Sequence, residues 1–310
     1  MELTQALNRT KNRIGLVSGS LRIHEYDEVE ENVSAHINPK DWTIELTLKK
    51  DYNPVQDKRQ KAYARKKNIQ DGRRQLLEDI LHHELGHWEL PFNSGYGCPY
   101  DTHHNDMIVE AVKEALPEEK QGHAHYVANA FADILVNTRC REFTENFSGQ
   151  VLFFDEQGNN MHDQRYTPFY EAFVQLNMNM WGDNVDNALV KRHYHNTQEV
   201  HHAVQQAMAS LHVEGKVEHS APLFDKESWP RMAGDFTKAI AELLEIPPQE
   251  KLSAYHGQEQ DSSEKQQAGH GVEEKARTKQ GKDITFISST NRNCLSCNSR
   301  TPYSIFISIS

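Results

Sequence analysis

His83-Glu84-Leu85-Gly86-His87 is the stretch of this chain with the clearest chemistry. On a helix, residues four apart share a face, so both imidazoles can reach one divalent ion. H-E-x-x-H is the spacing with which zinc hydrolases hold their metal, and the glutamate then lies beside the open coordination position. There Glu84 serves as the general base that takes a proton from the attacking water and passes it to a leaving amine. The chain has 18 histidines, so the pattern alone is weakly specific and its context must carry part of the weight. A catalytic zinc also needs a third protein ligand. Asn129, Asp133 and Asn137 form a polar stripe at i, i+4 and i+8 in an otherwise apolar segment, and burying it without partners would be costly. Asp133 is the expected third ligand. Asn129 and Asn137 would then bond to it, to His83 or His87, or to nearby backbone.

The elements that must position these groups can be read around them. Leu76, Ile80, His83 and His87 fall on one stripe of a helix expected over residues 73–90, with Leu77, Leu81, Leu85 and Trp88 beside it. Asp71-Gly72 marks its start and Pro91 helps to end it. A second helix over 119–143 carries Asp133, and Ala128, Ala130 and Ala132 favour its close approach to the first. Upstream, Trp42, Ile44, Leu46 and Leu48 alternate with Thr43, Glu45 and Thr47, the period of a strand with one buried face. Residues 33–37 form a second candidate strand, and Asn38-Pro39-Lys40-Asp41 between them predicts a hairpin. Further helices are expected over 105–116, 167–181, 197–211 and 229–244, with a short strand at 150–154.

The pair of motifs, HELGH and a downstream N-x-x-A-D-x-x-x-N helix, resembles a bacterial family of zincin-like metallopeptidase domains. Members are often encoded beside MoxR-type AAA+ ATPases and commonly precede a von Willebrand factor A domain. The resemblance covers roughly residues 30–185, and the aromatic helix with Phe169, Tyr170, Phe173 and Trp181 is compatible with it. It implies Zn2+ as cofactor, a peptide or protein substrate, and an ATPase or von Willebrand A protein as partner. It also implies a substrate lying antiparallel to the edge strand of the sheet, read here as Trp42–Leu48. The same motifs are similar to gluzincin peptidases, where a glutamate of E-x-x-A-D binds zinc; Asn129 stands at that position. The third metal-site group is therefore Asp133 or Asn129, and the anionic oxygen of Asp133 is the better zinc donor. Asp261-Ser-Ser-Glu-Lys265 does not supply the D-x-S-x-S site of a von Willebrand A domain, so that domain is not expected within this chain.

Other readings are weaker. His103, His104, His123 and His125 are alternative ligands or acids, and Tyr126, Tyr166, Tyr170, His103 and His104 are candidates for stabilising an oxyanion. Net charge is -11 over 310 residues, which argues against a general nucleic-acid binder. The basic run Lys58, Arg59, Lys61, Arg65, Lys66 and Lys67 reads as a solvated helix face or connection. No apolar run approaches the ~18 residues of a membrane span, no signal core is visible, and the cysteines, with Cys98 and Cys140 isolated and Cys294 and Cys297 close together in the tail, do not read as a disulfide framework. A cytoplasmic setting is expected. The fold expectation is α+β and zincin-like: a small sheet packed on the motif helices, with a helical C-terminal part. Residues 1–30 form an N-terminal segment, 31–185 the metallopeptidase domain, 186–246 a helical part and 247–310 a disordered tail rich in Gln, Glu, Ser and Lys. The expected function is zinc-dependent peptide hydrolysis; the alternative is a non-catalytic metal-binding or recruitment module partnering an AAA+ ATPase.

Overall fold

Ile44, Leu46 and Leu48 are buried and Glu45 and Thr47 are not, so the alternation read in this stretch is that of a strand with a core face. In the computed structural model the described residues are 20–27, 32–38, 43–87, 102–144, 146–160, 167–211, 225–245 and 284–286, with residues 5 and 8. Trp42, Trp88, Pro91 and Tyr166 lie outside them. Three strands, β1 (Ser20–Tyr26), β2 (Val33–Asn38) and β3 (Thr43–Lys49), form the body of the sheet, and β4 (Ile284–Phe286) adds beside β1. The order is β2-β3-β1-β4. β2 pairs antiparallel with β3 in the expected hairpin, with Val33 opposite Leu48 and Ala35 opposite Leu46. β1 runs parallel to β3 and was not expected; its polar residues Arg22, His24 and Glu25 mask the apolar Leu21 and Ile23. β4 falls in the stretch expected to be disordered.

The sheet lays one face on α2 (Gly72–Gly86), which follows α1 (Lys58–Lys66). Leu21, Val33, Ile44, Leu46 and Leu48 close a core with Leu76, Leu77, Ile80, Leu81 and Leu85. The remaining helices form a second, larger core. They are α3 (Thr102–Ala115), α4 (Ala124–Phe143), α5 (Ser148–Asn160), α6 (Pro168–Trp181), α7 (Asn184–Val190), α8 (Gln198–Ser210) and α9 (Trp229–Ile240). Phe131, Phe147, Trp229 and Phe236 are fully buried there. The architecture is α+β and predominantly helical.

Two boundaries differ instructively from expectation. α2 ends at Gly86, with His87 as its C-cap rather than a mid-helix residue, consistent with the low helix propensity of glycine. Residues 150–154, expected as a strand, lie inside α5. Val151, Leu152, Phe154 and Asp155 are all buried, so this helix is surrounded on nearly every side. A continuous apolar run of four residues, Val151 to Phe154, has no period with which to distinguish a buried strand from a buried helix.

Candidate metal centre

Glycine sets how closely the metal-site helices approach. A Cβ on Gly86 would lie 2.8 Å from Val136 Cγ1 and 3.0 Å from Cys140 Sγ, so α4 comes down onto α2 where the second histidine follows. On the other side, a Cβ on Gly149 would lie 2.6 Å from the Cα of Leu76, which brings α5 against α2. α2 contributes His83 and Glu84 and ends on His87, all buried; α4 contributes Asp133, 5% exposed.

One donor atom each from His83, His87 and Asp133 lies within 4.8 Å of the others. Asp133 Oδ1 is 3.6 Å from His83 Nε2 and 3.5 Å from His87 Nε2. Ligand bonds of 2.0–2.2 Å in a tetrahedron put neighbouring donors about 3.3–3.6 Å apart, so these two spacings suit a shared zinc. Neither His83 Nε2 nor Asp133 Oδ1, both buried, has a hydrogen-bond partner among the described residues. A polar atom left so costs about 1–3 kcal/mol, and a metal at their common centre would remove that cost. Asn129 donates its Nδ2 to Asp133 Oδ2 at 3.4 Å, behind the carboxylate rather than in the cluster.

An amide relay sets the tautomer of His83. The Phe173 carbonyl can only accept, so Asn177 presents its Nδ2 there (2.9 Å) and turns its Oδ1 toward Asn137. That oxygen accepts Asn137 Nδ2 at 3.1 Å, which leaves Asn137 Oδ1 facing His83 Nδ1 at 2.8 Å. Nδ1 must then carry the proton, and Nε2 offers its lone pair to the cluster. Asn137 was among the residues expected behind the ligands. Asn177 was not, because its role depends on how α6 packs against α4.

Burial dominates the electrostatics. It holds the His83 imidazole down to a pKa of about 4 against the opposing pull of Asp133, and that of His87 down to about 3, so both rings are neutral near pH 7. Burial, with the Asp133 charge adding to it, pushes Glu84 up to about 8; burial raises Asp133 to about 6 despite His83. Glu84 makes no hydrogen bond to another described residue. It lines a cleft together with His83, Asp133 and the edge strand β2.

Comparisons with protein-family models, with curated proteins and with solved structures return no match. The site must be read from its own chemistry.

The other candidates fall elsewhere. His123 Nε2 lies 3.0 Å from the Glu245 carbonyl oxygen, His125 is exposed, and the side chains of His103 and His104 lie outside the described residues. Tyr170 is buried and Tyr126 is 39% exposed; neither lines the cleft, whereas the amides of Gln150 and Gln157 do. Gln150 was missed because it sits on the segment read as a strand, and Gln157 because it follows that segment and reaches the cleft only through the helix that replaces it. Of the basic run, Lys67 is held by Asp183 (2.6 Å) and Asp186 (2.8 Å), and the other five residues are exposed on α1 or at its end. No helix among the described residues is long and apolar enough to cross a membrane.

Proposed function

We propose that this protein is a zinc-dependent metallopeptidase of zincin type. The observation that carries the reading is the convergence of three buried donor atoms, from His83, His87 and Asp133, beside a buried glutamate at the wall of an open cleft. A Zn2+ held by these three side chains would supply a Lewis acid that polarises a carbonyl and acidifies water. Asp133 is favoured over Asn129 as the third ligand because its Oδ1 faces both imidazoles, while the Asn129 amide is spent on the far carboxylate oxygen.

Glu84 takes the proton of the attacking water and returns it to the departing amine. Its raised affinity for a proton suits a group that must hold one between the two steps. Asn137 and Asn177 hold His83 in the tautomer that can ligate. Gln150 or Gln157 would supply an amide N–H to the developing oxyanion, the role the tyrosines and histidines were expected to fill. A peptide strand would pair with β2. β3, the expected edge, is interior to the sheet, with β2 on one side and β1 on the other.

Recruitment of an AAA+ ATPase or a von Willebrand A protein is compatible with this reading. A purely non-catalytic module would leave unexplained why Glu84 is buried at the cleft wall, where ionising it is costly. The deciding experiment is metal analysis of the purified chain, with a peptide-cleavage screen of wild type and Glu84→Gln. Zinc at one per chain in both, with cleavage about 10²–10⁴-fold slower in the variant, supports the reading. Undiminished cleavage by Glu84→Gln would remove the base and the mechanism with it.

A further inference from the structure

Among the described residues, no strand pairs with the outer edge of β2. Lys49 N–H donates to the Asn32 carbonyl at 2.8 Å, and the register places Val33 opposite Leu48. Asn32 and Lys49 are therefore a hydrogen-bonded pair. In an antiparallel ladder such pairs alternate, so Ser34 and His36 also turn their N–H and C=O groups toward β3. The N–H and C=O groups of Val33 and Ala35 point the other way, to the outer edge, where no described strand pairs with them.

Side-chain direction follows from the same pleat. Val33 and Ala35 pack on the core face above α2. In an added antiparallel strand, the residue directly opposite Ala35 exchanges both backbone bonds with it and projects its side chain to that same face. On that face lies the cleft, walled by Ile80, Phe153, Phe154 and Phe173 and bordered by Glu84 and Asp133. Its remaining polar lining is neutral, chiefly Gln150 and Gln157; no Lys or Arg is among the described lining residues. An acidic side chain seated there would shed its hydration against phenyl rings with no Lys or Arg among the described lining residues to pair with it. An ammonium or guanidinium would have to shed its hydration against phenyl rings.

We infer that the site selects an extended peptide segment whose residue paired with Ala35 bears a bulky, uncharged, apolar side chain, seated in the Phe153–Phe154–Phe173 pocket. The inference rests on the metallopeptidase reading for its consequence, because it names the substrate class of that site. The bound segment obeys a period of two: the paired residue is buried and bonded, and its neighbours face outward with their N–H groups turned from β2.

The test is calorimetric binding to the full chain carrying Glu84→Gln, as purified, of Ala/Ser octapeptides with one guest residue. Leu and Phe guests are expected to bind about 10- to 100-fold more tightly than Ala. Asp and Lys guests should bind no better than Ala. N-methylation of the guest residue should abolish the preference, and N-methylation of either neighbour should leave it intact. Gln157→Lys, at a half-buried lining position, should raise affinity for the Asp guest several-fold, a gain that a loosened fold would not produce. Equal affinity across guests, or greater sensitivity at the neighbouring amides, overturns the inference. The same preparations are assayed for zinc and wild type for cleavage, which separates the two proposals. Cleavage without guest preference sinks the pocket alone; guest preference without zinc or cleavage upholds the pocket and sinks the peptidase.

Discussion

Replacing Asn177 with Ala removes the acceptor that orients Asn137, at a position one residue removed from any contact with the metal cluster. In the native relay the three contacts of 2.9, 3.1 and 2.8 Å run from the Phe173 carbonyl to His83 Nδ1, each link dictating the direction of the next. Without Asn177 the Asn137 amide is free to turn its NH2 toward His83, which favours the tautomer with a proton on Nε2. That proton occupies the lone pair the zinc requires. Loss of such an orienting partner typically weakens metal binding about 10–100-fold, equivalent to about 1.4–2.8 kcal/mol. Asn177→Asp supplies the control. Buried here, the carboxyl is expected to stay protonated, accepting from Asn137 through its carbonyl oxygen and donating its O–H to Phe173. Zinc affinity, read by competition with a chelator at pH 7, should fall in Asn177→Ala and recover to within about threefold in Asn177→Asp. The imidazole ¹⁵N shifts of His83 should report mixed tautomers in the first variant and Nδ1–H in the second. The unsatisfied Asn137 amide also costs about 1–3 kcal/mol of stability, so titrations belong well below the melting temperature of each variant. Native affinity in a folded Asn177→Ala protein, or an equally weak Asn177→Asp, refutes the relay.

Asp133→Ala should reduce zinc content to well below one per chain, and full occupancy by metal analysis would reassign the third ligand. Zinc binding should release about one proton at pH 7 and about 0.1 at pH 9, because Glu84 (about 8) holds most of the displaceable proton while both histidines are already neutral. Calorimetry in buffers of different ionisation enthalpy reads that number, and a release independent of pH contradicts the assignment. In the metal-free protein, a Glu84 pKa raised above its unfolded value gives stability that is fully present below about pH 4.5 and lost as pH rises through about 8. Glu84→Gln should therefore stabilise the metal-free chain above pH 8 and have least effect in acid, as denaturant unfolding will show. Gly86→Ala drives a methyl to 2.8 Å from Val136 and should cost about 1–3 kcal/mol in unfolding free energy, partly restored by a second change, Val136→Ala.

The parts of this molecule that were legible in the sequence are those where one residue's type settles the matter locally. Ile44, Leu46 and Leu48 mark a half-buried strand whatever they pack against. Thr167 and Thr197 sit at the N-caps of α6 and α8, and each accepts a backbone N–H from the residue three on, so those helix starts were readable to within a residue. The parts that were not legible depend on a partner distant in the chain. β1 exposes Arg22 and Glu25, and only its pairing with β3 makes it a strand of this sheet. Residues 150–154 look like a strand because nothing in a run of five shows that the burial continues around a helix. Asn177 is an ordinary polar residue of an aromatic helix until α4 brings Asn137 to it.

The third ligand shows how one such distant contact decides between two local readings. Asn129 and Asp133 are both polar, both on the inner stripe of α4, and one turn apart; spacing alone gives no reason to choose. What chooses is the phase of α4 against α2, and a single contact sets it: Asn137 Oδ1 meets His83 on Nδ1. Four residues earlier, about 6 Å back along the helix, α4 reaches the other side of the same imidazole, and the residue there is Asp133. Two successive turns of α4 thus bracket one ring, the amide on the protonated nitrogen and the carboxylate beside the lone pair. Asn129 lies a further turn away, about 12 Å from Asn137 along the axis, and turns its amide back to Asp133. For Asn129 to serve as the ligand, α4 would have to slide by a turn, which would break the Asn137–His83 contact and move Val136 and Cys140 away from Gly86. The amide that accepts from Nδ1–H and the carboxylate beside Nε2 therefore belong to one geometric choice. A helix carrying asparagine at both ends of this stripe and aspartate between them can make that choice in only one phase.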